Sequence, residues 1–250
     1  MTYCVAIQLR DGLVLASDSR TNAGMDNVGA YPKMHLFARE GERQFVLLAA
    51  GNLGTTQAVV NQLRLDSDDD NLEVNLFKVK DLSQAASYVG EISVAVQRRH
   101  EQAKPNSNVN FEASFILGGQ IAGSPPEIYL IYPQGNNISP SPYHPFLQIG
   151  EVKYGKPILD RIVRADMDLE NAARCALVSL DSTMRSNLSV GPPIDILIYR
   201  RNVLDGGSHY RLHHDNPYLA SLRTQWNKGL ERLFKRLPRF EWDRYHPRKG

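Results

Sequence analysis

The residues with the clearest chemical potential stand at the start of the chain. Met1 is followed by Thr2, and threonine is small enough for the initiator methionine to be removed. Removal would place a hydroxyl and a free α-amine on one residue. A hydroxyl is a poor nucleophile until a neighbouring base takes its proton. An α-amine, with a reference pKa of about 8, is a suitable base near neutral pH. Three further residues could complete such a site. Asp18, sixteen positions after Thr2, closes a predicted hairpin that would bring it back beside the first strand. Lys33 precedes Met34-His35-Leu36-Phe37, which reads as a short strand. Its ammonium would lower the hydroxyl's pKa and keep the amine neutral, with a carboxylate to hold it. Gly51 follows Ala49-Ala50 where a strand gives way to a helix, a place for a backbone N–H to face a developing oxyanion.

The elements that must position these residues are legible in the hydrophobic pattern. Tyr3–Leu9 and Leu13–Asp18 flank Asp11-Gly12 and read as a β-hairpin. Their nearly unbroken apolar runs predict strands covered on both faces. Gln44–Ala50 is another strand, stopped by Gly51-Asn52-Leu53-Gly54. A helix capped by Thr55 or Thr56 is expected to run to Leu65, followed by an acidic, solvated loop from Asp66 to Asp70. Leu82, Ala85, Val89, Ile92 and Val96 form a helical stripe. Strands are expected at 111–118 and 127–132, with a further one after the turn at 134–137. Helices are expected at 153–164 and 168–184, and a last core strand at 194–199. Strands gathered in runs between runs of helices argue against alternating βαβ units and for antiparallel sheets between helical layers.

Composition narrows the functional classes. The chain has 250 residues, 42% hydrophobic and 22% charged, with net charge +2. No apolar run approaches the roughly 18 residues of a membrane span, and no leader peptide is read at the start. Cys4 and Cys175 are too few for a disulfide framework or a cysteine zinc site. The acidic loop lacks the glycine and distal glutamate of a calcium loop, and His213-His214 lacks a third ligand. These features imply a cytoplasmic protein without membrane, metal or cofactor. Residues 201–250 form a basic extension, with 12 Lys plus Arg against 5 Asp plus Glu from Arg200 onward. Within it Leu219, Leu222, Trp226, Leu230, Leu233 and Leu237 predict a helix over about 217–237. Its aromatics are not interleaved with the basic residues as single-stranded nucleic acid would favour; the helix is expected to pack either on its own body with a solvated basic face or against a neighbouring subunit, and the extension is assigned to subunit contacts.

Taken together, Thr2, Asp18-Ser19-Arg20 with Gly24, Lys33 and Ala50-Gly51 resemble the N-terminal-nucleophile hydrolases of the proteasome β-subunit type. Within that superfamily the chain most resembles the bacterial Anbu, or ancestral β-subunit, family. The resemblance rests on Met1–Ala6, Ala16–Gly24, Ala50–Leu53, Gly150–Pro157 and Asp181–Pro193, and covers residues 2–200. It implies an α+β fold, a four-layer αββα sandwich with a C-terminal helical extension, and a homo-oligomer arranged as a ring or helical stack. By the same resemblance Thr2 is the nucleophile, Asp18 and Lys33 assist it, Gly51 binds the oxyanion and Ser189 supports the amine. Thr21, Asn22, Ala49 and Leu53 line a cleft for a peptide or protein substrate with a modest apolar side chain. Two positions depart from the proteasome pattern: Glu151 stands where a serine follows the glycine, and Ser186 where an aspartate precedes Ser189. The implied activity is threonine peptidase or amidohydrolase. An amidase for a small substrate, or a non-catalytic subunit if Met1 is retained, are the alternatives.

Overall fold

The computed structural model describes residues 1–22, 28–103 and 108–241. Along the chain run β1 (Tyr3–Leu9), β2 (Gly12–Asp18), β3 (Arg20–Asn22), β4 (Val28–Ala30), β5 (Met34–Arg39) and β6 (Arg43–Gly51). Then come α1 (Leu53–Asp68), α2 (Leu82–Ala103), β7 (Ala113–Ile121), β8 (Glu127–Ile131), β9 (Asn137–Ile138) and β10 (Phe146–Gly150). The last elements are α3 (Lys156–Ile162), α4 (Leu169–Ser186), β11 (Ile194–Arg200), β12 (Ser208–Leu212) and α5 (Pro217–Arg236).

Two antiparallel sheets carry the fold, ordered β10-β1-β2-β11-β12 and β5-β6-β7-β8-β9, with β3 and β4 forming a separate ribbon. The sheets face each other across Leu13, Leu15, Leu197 and Tyr199 on one side and Val46, Leu48, Ile116 and Ile128 on the other. The opposite face of the second sheet buries Phe45, Leu47, Phe115 and Leu117 against Val59, Leu63, Val89 and Val96 of α1 and α2. Helix α4 packs on β1 and β2, and α3 on α4. Each fully buried aliphatic contributes about 1.5–3 kcal/mol. The fold is therefore an α+β sandwich with layers in the order α, β, β, α. Every position of β2 is buried and all but Gln8 of β1, which is why both read as continuous apolar runs.

One end of the sandwich gathers the positions of interest. Tyr3 pairs with Gly150, Asp18 with Ile194 and Gly51 with Ala113, all at strand ends. Gly150 adopts φ 83°, and a Cβ there would lie 2.0 Å from the Thr2 carbonyl oxygen. Only glycine lets β10 approach the start of β1 so closely.

Several local expectations need correction. Helix α1 is capped by Asn52, whose side chain accepts from the Thr55 N–H, not by Thr55 or Thr56. The helix also runs through Asp68, so Asp66 does not lie in a solvated loop. Asp66 is buried, with its carboxylate accepting from Gln62 Nε2 at 2.8 Å and from the Tyr88 hydroxyl. Helix α3 begins at Lys156 rather than Lys153 because turns occupy the residues after Glu151. Strands β10 and β12 and the β3–β4 ribbon were not expected. Strand β12 pairs with β11 and closes one edge of the first sheet.

The chain divides into two units, Met1–His214 and the segment from Asp215. In the second, the Asn216 side chain caps α5 by accepting from the N–H groups of Tyr218 and Leu219, and Pro217 occupies the first turn. Leu230, Leu233, Phe234 and Leu237 remain exposed.

Candidate active site

Thr2 is held through its backbone before any of its own chemistry is considered. Its carbonyl oxygen accepts from the Glu151 N–H at 2.7 Å. The next residue, Tyr3, donates its N–H to Asp18 Oδ1 at 3.0 Å. Tyr3 is itself pinned: its hydroxyl donates to Ser179 Oγ at 3.1 Å and accepts from Gln148 Nε2 at 2.6 Å. Burial raises that hydroxyl's pKa, the two hydrogen bonds offsetting part of the effect.

Asp18 collects donors from three separate segments of the chain. Oδ1 takes the Tyr3 N–H and the Lys33 ammonium, 2.8 Å away. Oδ2 takes the Gly191 N–H at 3.2 Å. Burial pushes this carboxyl above the ordinary carboxylate range, while Lys33 and the N–H donors of Tyr3 and Gly191 pull it back. Lys33 is buried too, and also donates to the Arg20 carbonyl at 2.6 Å. Its position is set by the backbone, since the Lys33 carbonyl accepts from the Ala49 N–H at 2.9 Å. The pair therefore joins the end of β2, the approach to β5 and the end of β6.

Beside the pair lies a cavity of about 200 Å³ lined by Met1, Thr2, Thr21, Pro32, Lys33, Ala49, Ala50, Gly51, Leu53 and Thr56. Gly51 takes φ 118°, and a Cβ there would meet the Glu112 carbonyl oxygen at 2.4 Å. Thus Thr2, Lys33, Gly51, Thr21, Ala49 and Leu53 converge on one cavity, with Asp18 bonded to Lys33 behind it. The remaining expected residues stand differently. Ser189 does not line the cavity; its N–H donates to Asn187 Oδ1 at 2.9 Å in the loop after α4. Asn22 is described by its backbone alone, paired with Val28, and Ala23 and Gly24 lie outside the described residues.

Residue-by-residue reading missed Pro32, Thr56 and Gly191. Thr56 stands one helical turn beyond Leu53, a spacing that could have placed it on the same face. Pro32 adjoins Lys33. Gly191 carries no comparable signal, because its N–H reaches Asp18 only through the pairing of β11 with β2.

Two other polar clusters border the site. Asp195, on β11, is buried and accepts from Ser19 Oγ at 2.9 Å. His209 and Arg211 of β12 approach the same carboxylate at 3.2 and 3.3 Å. His35, on β5, is partly buried, and burial together with the Arg64 charge lowers its pKa to about 4, against an opposing pull from Asp195. A histidine whose folded pKa lies below its unfolded value supports the fold only while neutral. Its contribution is present above about pH 6.5 and is lost as the pH falls towards about 4, an effect on the order of 2 kcal/mol. Thermal melts between pH 7.5 and 4.5 should show this loss for the wild type, and a shallower slope for His35→Gln.

No helix among the described residues is long and apolar enough to cross a membrane. No group of three or more His, Cys, Asp or Glu among them is placed to hold a metal ion.

Comparison with known proteins places this arrangement in a family. Residues 2–199 match the proteasome subunit family. A search of curated proteins finds no match. Among solved structures, Anbu (ancestral beta-subunit) from Yersinia bercovieri is 44% identical with a TM-score of 0.90, over 96% of this chain and 100% of that one. The Anbu complex of Pseudomonas aeruginosa, described as a helical assembly, is 49% identical with a TM-score of 0.90, over 95% and 98% of the two chains. A Gly-1 mutant of Anbu from Hyphomicrobium sp. strain MC1 is 44% identical at the same TM-score, over 96% and 100%. With its sandwich fold and the cluster around Thr2, the chain belongs to the proteasome subunit family, and within it to the Anbu group.

Proposed function

We propose that this protein is a threonine peptidase or amidohydrolase of the N-terminal-nucleophile kind, acting in the cytoplasm as a homo-oligomer. The observation that carries the reading is the buried Asp18–Lys33 pair, bonded through Asp18 to the residue after Thr2 and sharing through Lys33 the cavity that Thr2 lines. A buried ion pair is a poor means of stabilising a fold. Its position beside a hydroxyl that needs activation gives it a catalytic use.

Once Met1 is removed, the Thr2 amine takes the hydroxyl proton as Oγ bonds to the substrate carbonyl carbon. The carbonyl π electrons move onto oxygen, where the Gly51 N–H is the donor we assign to the oxyanion. Collapse expels the leaving nitrogen, which takes the proton from the ammonium and leaves an acyl ester on Thr2. A water molecule, deprotonated by the same amine, then releases the acid. Lys33 favours both the alkoxide character of Oγ and the neutral amine. Thr21, Ala49 and Leu53 give the cavity small or apolar walls, which suit a modest apolar side chain of a peptide or unfolded protein. Ser189 and Asn22 enter as a proposed support for the amine and a proposed cleft residue. Residues 2–200 form the catalytic domain in this reading and residues 201–250 serve contacts between copies. The helical assembly described for the Pseudomonas relative supports such self-association.

The test is a peptidyl epoxyketone, whose ketone is attacked by a hydroxyl and whose epoxide is opened by an adjacent amine. Intact mass should show loss of Met1, then addition of one reagent per chain at Thr2. A processed chain that takes no label, or labels on any other residue, would refute the proposal. Met1 found fully retained would instead support a non-catalytic subunit, since the amine would then sit on the wrong residue.

A further inference from the structure

Glu151 is the larger of the two departures from the proteasome pattern, and the structure gives it an unusual set of bonds. Its N–H holds the Thr2 carbonyl. The residue is only 7% exposed. Oε2 accepts from Asn187 Nδ2 at 2.9 Å, and Oε1 lies 3.3 Å from the largely exposed Lys153 ammonium. Asn187 ends α4, and its own Oδ1 accepts from the Ser189 N–H. Two residues further on, Gly191 donates to Asp18 Oδ2.

These bonds form a closed circuit. It runs from the Thr2 carbonyl to Glu151, across to Asn187, along the loop to Gly191, through Asp18 and back to the Tyr3 N–H. Arg20 braces the loop: its guanidinium donates to the Leu188 carbonyl at 2.9 Å and packs against Gly191, where a Cβ would lie 2.4 Å from Cζ. Its own carbonyl is the second acceptor for Lys33. The Glu151–Asn187 bond is the one side-chain-to-side-chain link in the circuit.

We infer that Glu151, acting through Asn187, is a positioning residue that keeps Thr2 in register with the Asp18–Lys33 pair. The inference rests on Thr2 being the nucleophile. Glu151 touches no reacting atom in this account. Its carboxylate fixes the loop whose far end orients Asp18, while its backbone fixes Thr2. The role requires an acceptor for Asn187, not a charge. Lys153 is outside the circuit and dispensable.

The experiment measures the rate constant and half-saturating concentration of epoxyketone labelling on the full chain, with melting temperature followed for every variant. Glu151→Ala and Asn187→Ala should each slow the labelling step on the order of 10- to 100-fold, the scale of a misplaced reacting group. The half-saturating concentration should hold, because the cavity walls belong to other elements. The double variant should be no slower than the slower single one, as expected for two members of one link. Glu151→Gln, which keeps the acceptor, and Lys153→Ala should stay within about twofold of the wild type. If Glu151→Ala fails to fold, Glu151→Gln and Asn187→Ala still decide the matter. Additive losses, a Glu151→Gln as slow as Asn187→Ala, or a weakened half-saturation at unchanged rate would overturn the inference while Thr2 is still labelled. A processed wild type that takes no label, or a Thr2→Ala chain that labels equally, would overturn the nucleophile reading and this inference with it.

Discussion

A Thr2→Ala chain is expected to lose turnover of a fluorogenic peptide by a factor on the order of 10⁴ to 10⁶, the scale seen when a covalent nucleophile is deleted. The substitution removes the hydroxyl and leaves the α-amine, the Asp18–Lys33 pair and the cavity in place. Folding should be nearly unaffected. Thr2 is fastened by its carbonyl to the Glu151 N–H, and that bond does not involve the side chain. Its melting temperature should stay close to that of the wild type, with a stability change of about 0.5 kcal/mol or less. Thr2→Ser keeps hydroxyl and amine on one residue and should retain measurable turnover. Residual activity of Thr2→Ala within tenfold of the wild type would remove Thr2 from the mechanism.

Lys33→Met should damage stability and activity together. With its ammonium gone, the buried Asp18 carboxylate keeps only the N–H donors of Tyr3 and Gly191. Breaking a buried pair from one side costs about 3–5 kcal/mol. The sign of the pH dependence follows from burial, which already raises the Asp18 carboxyl and does so further once Lys33 is lost. A carboxyl whose folded pKa exceeds its unfolded one favours the folded state when protonated. The Lys33→Met deficit should therefore be largest in mildly alkaline buffer and shrink on acidification. Adding Asp18→Asn to Lys33→Met removes the stranded charge and should recover most of the stability, but none of the turnover. Denaturant melts and peptide hydrolysis on the two variants separate these contributions. Recovery of activity in the double variant would show that the pair serves only the fold.

Legibility in the sequence followed the physical origin of each feature. The hairpin of β1 and β2 was readable because its turn, its apolar runs and its register are all local. The strand ends beside Thr2, Lys33 and Gly51 were readable too, but these residues belong to two different sheets, so their meeting on one cavity was expected from the family resemblance and not from local pattern. The cap of α1 was not readable, because Asn52, Thr55 and Thr56 are all competent caps. Asn52 also reaches the Asn110 carbonyl at 3.0 Å, a tertiary contact that local pattern cannot show. Asp66 was misread because an acidic cluster is usually solvated, whereas here Tyr88 of α2 closes over it. Strand β12 is polar at nearly every position, so no alternation marks it; its place is set by β11 and by Asp195 beneath it. The circuit through Glu151 was invisible for a related reason, as its members lie on segments far apart in the chain and meet only in the assembled sandwich.

That polar last strand has a consequence of its own. A sheet that stops at an uncovered strand offers a row of backbone donors and acceptors to any extended chain it meets. Here the exposed strand is short and bears His209 and Arg211 on the side that faces Asp195, with Tyr210 turned the other way. A foreign strand docking there would have to displace or bury polar side chains already committed to a carboxylate. The border of the sheet is thus guarded against runaway strand-by-strand growth by the same aspartate that fastens Ser19 within.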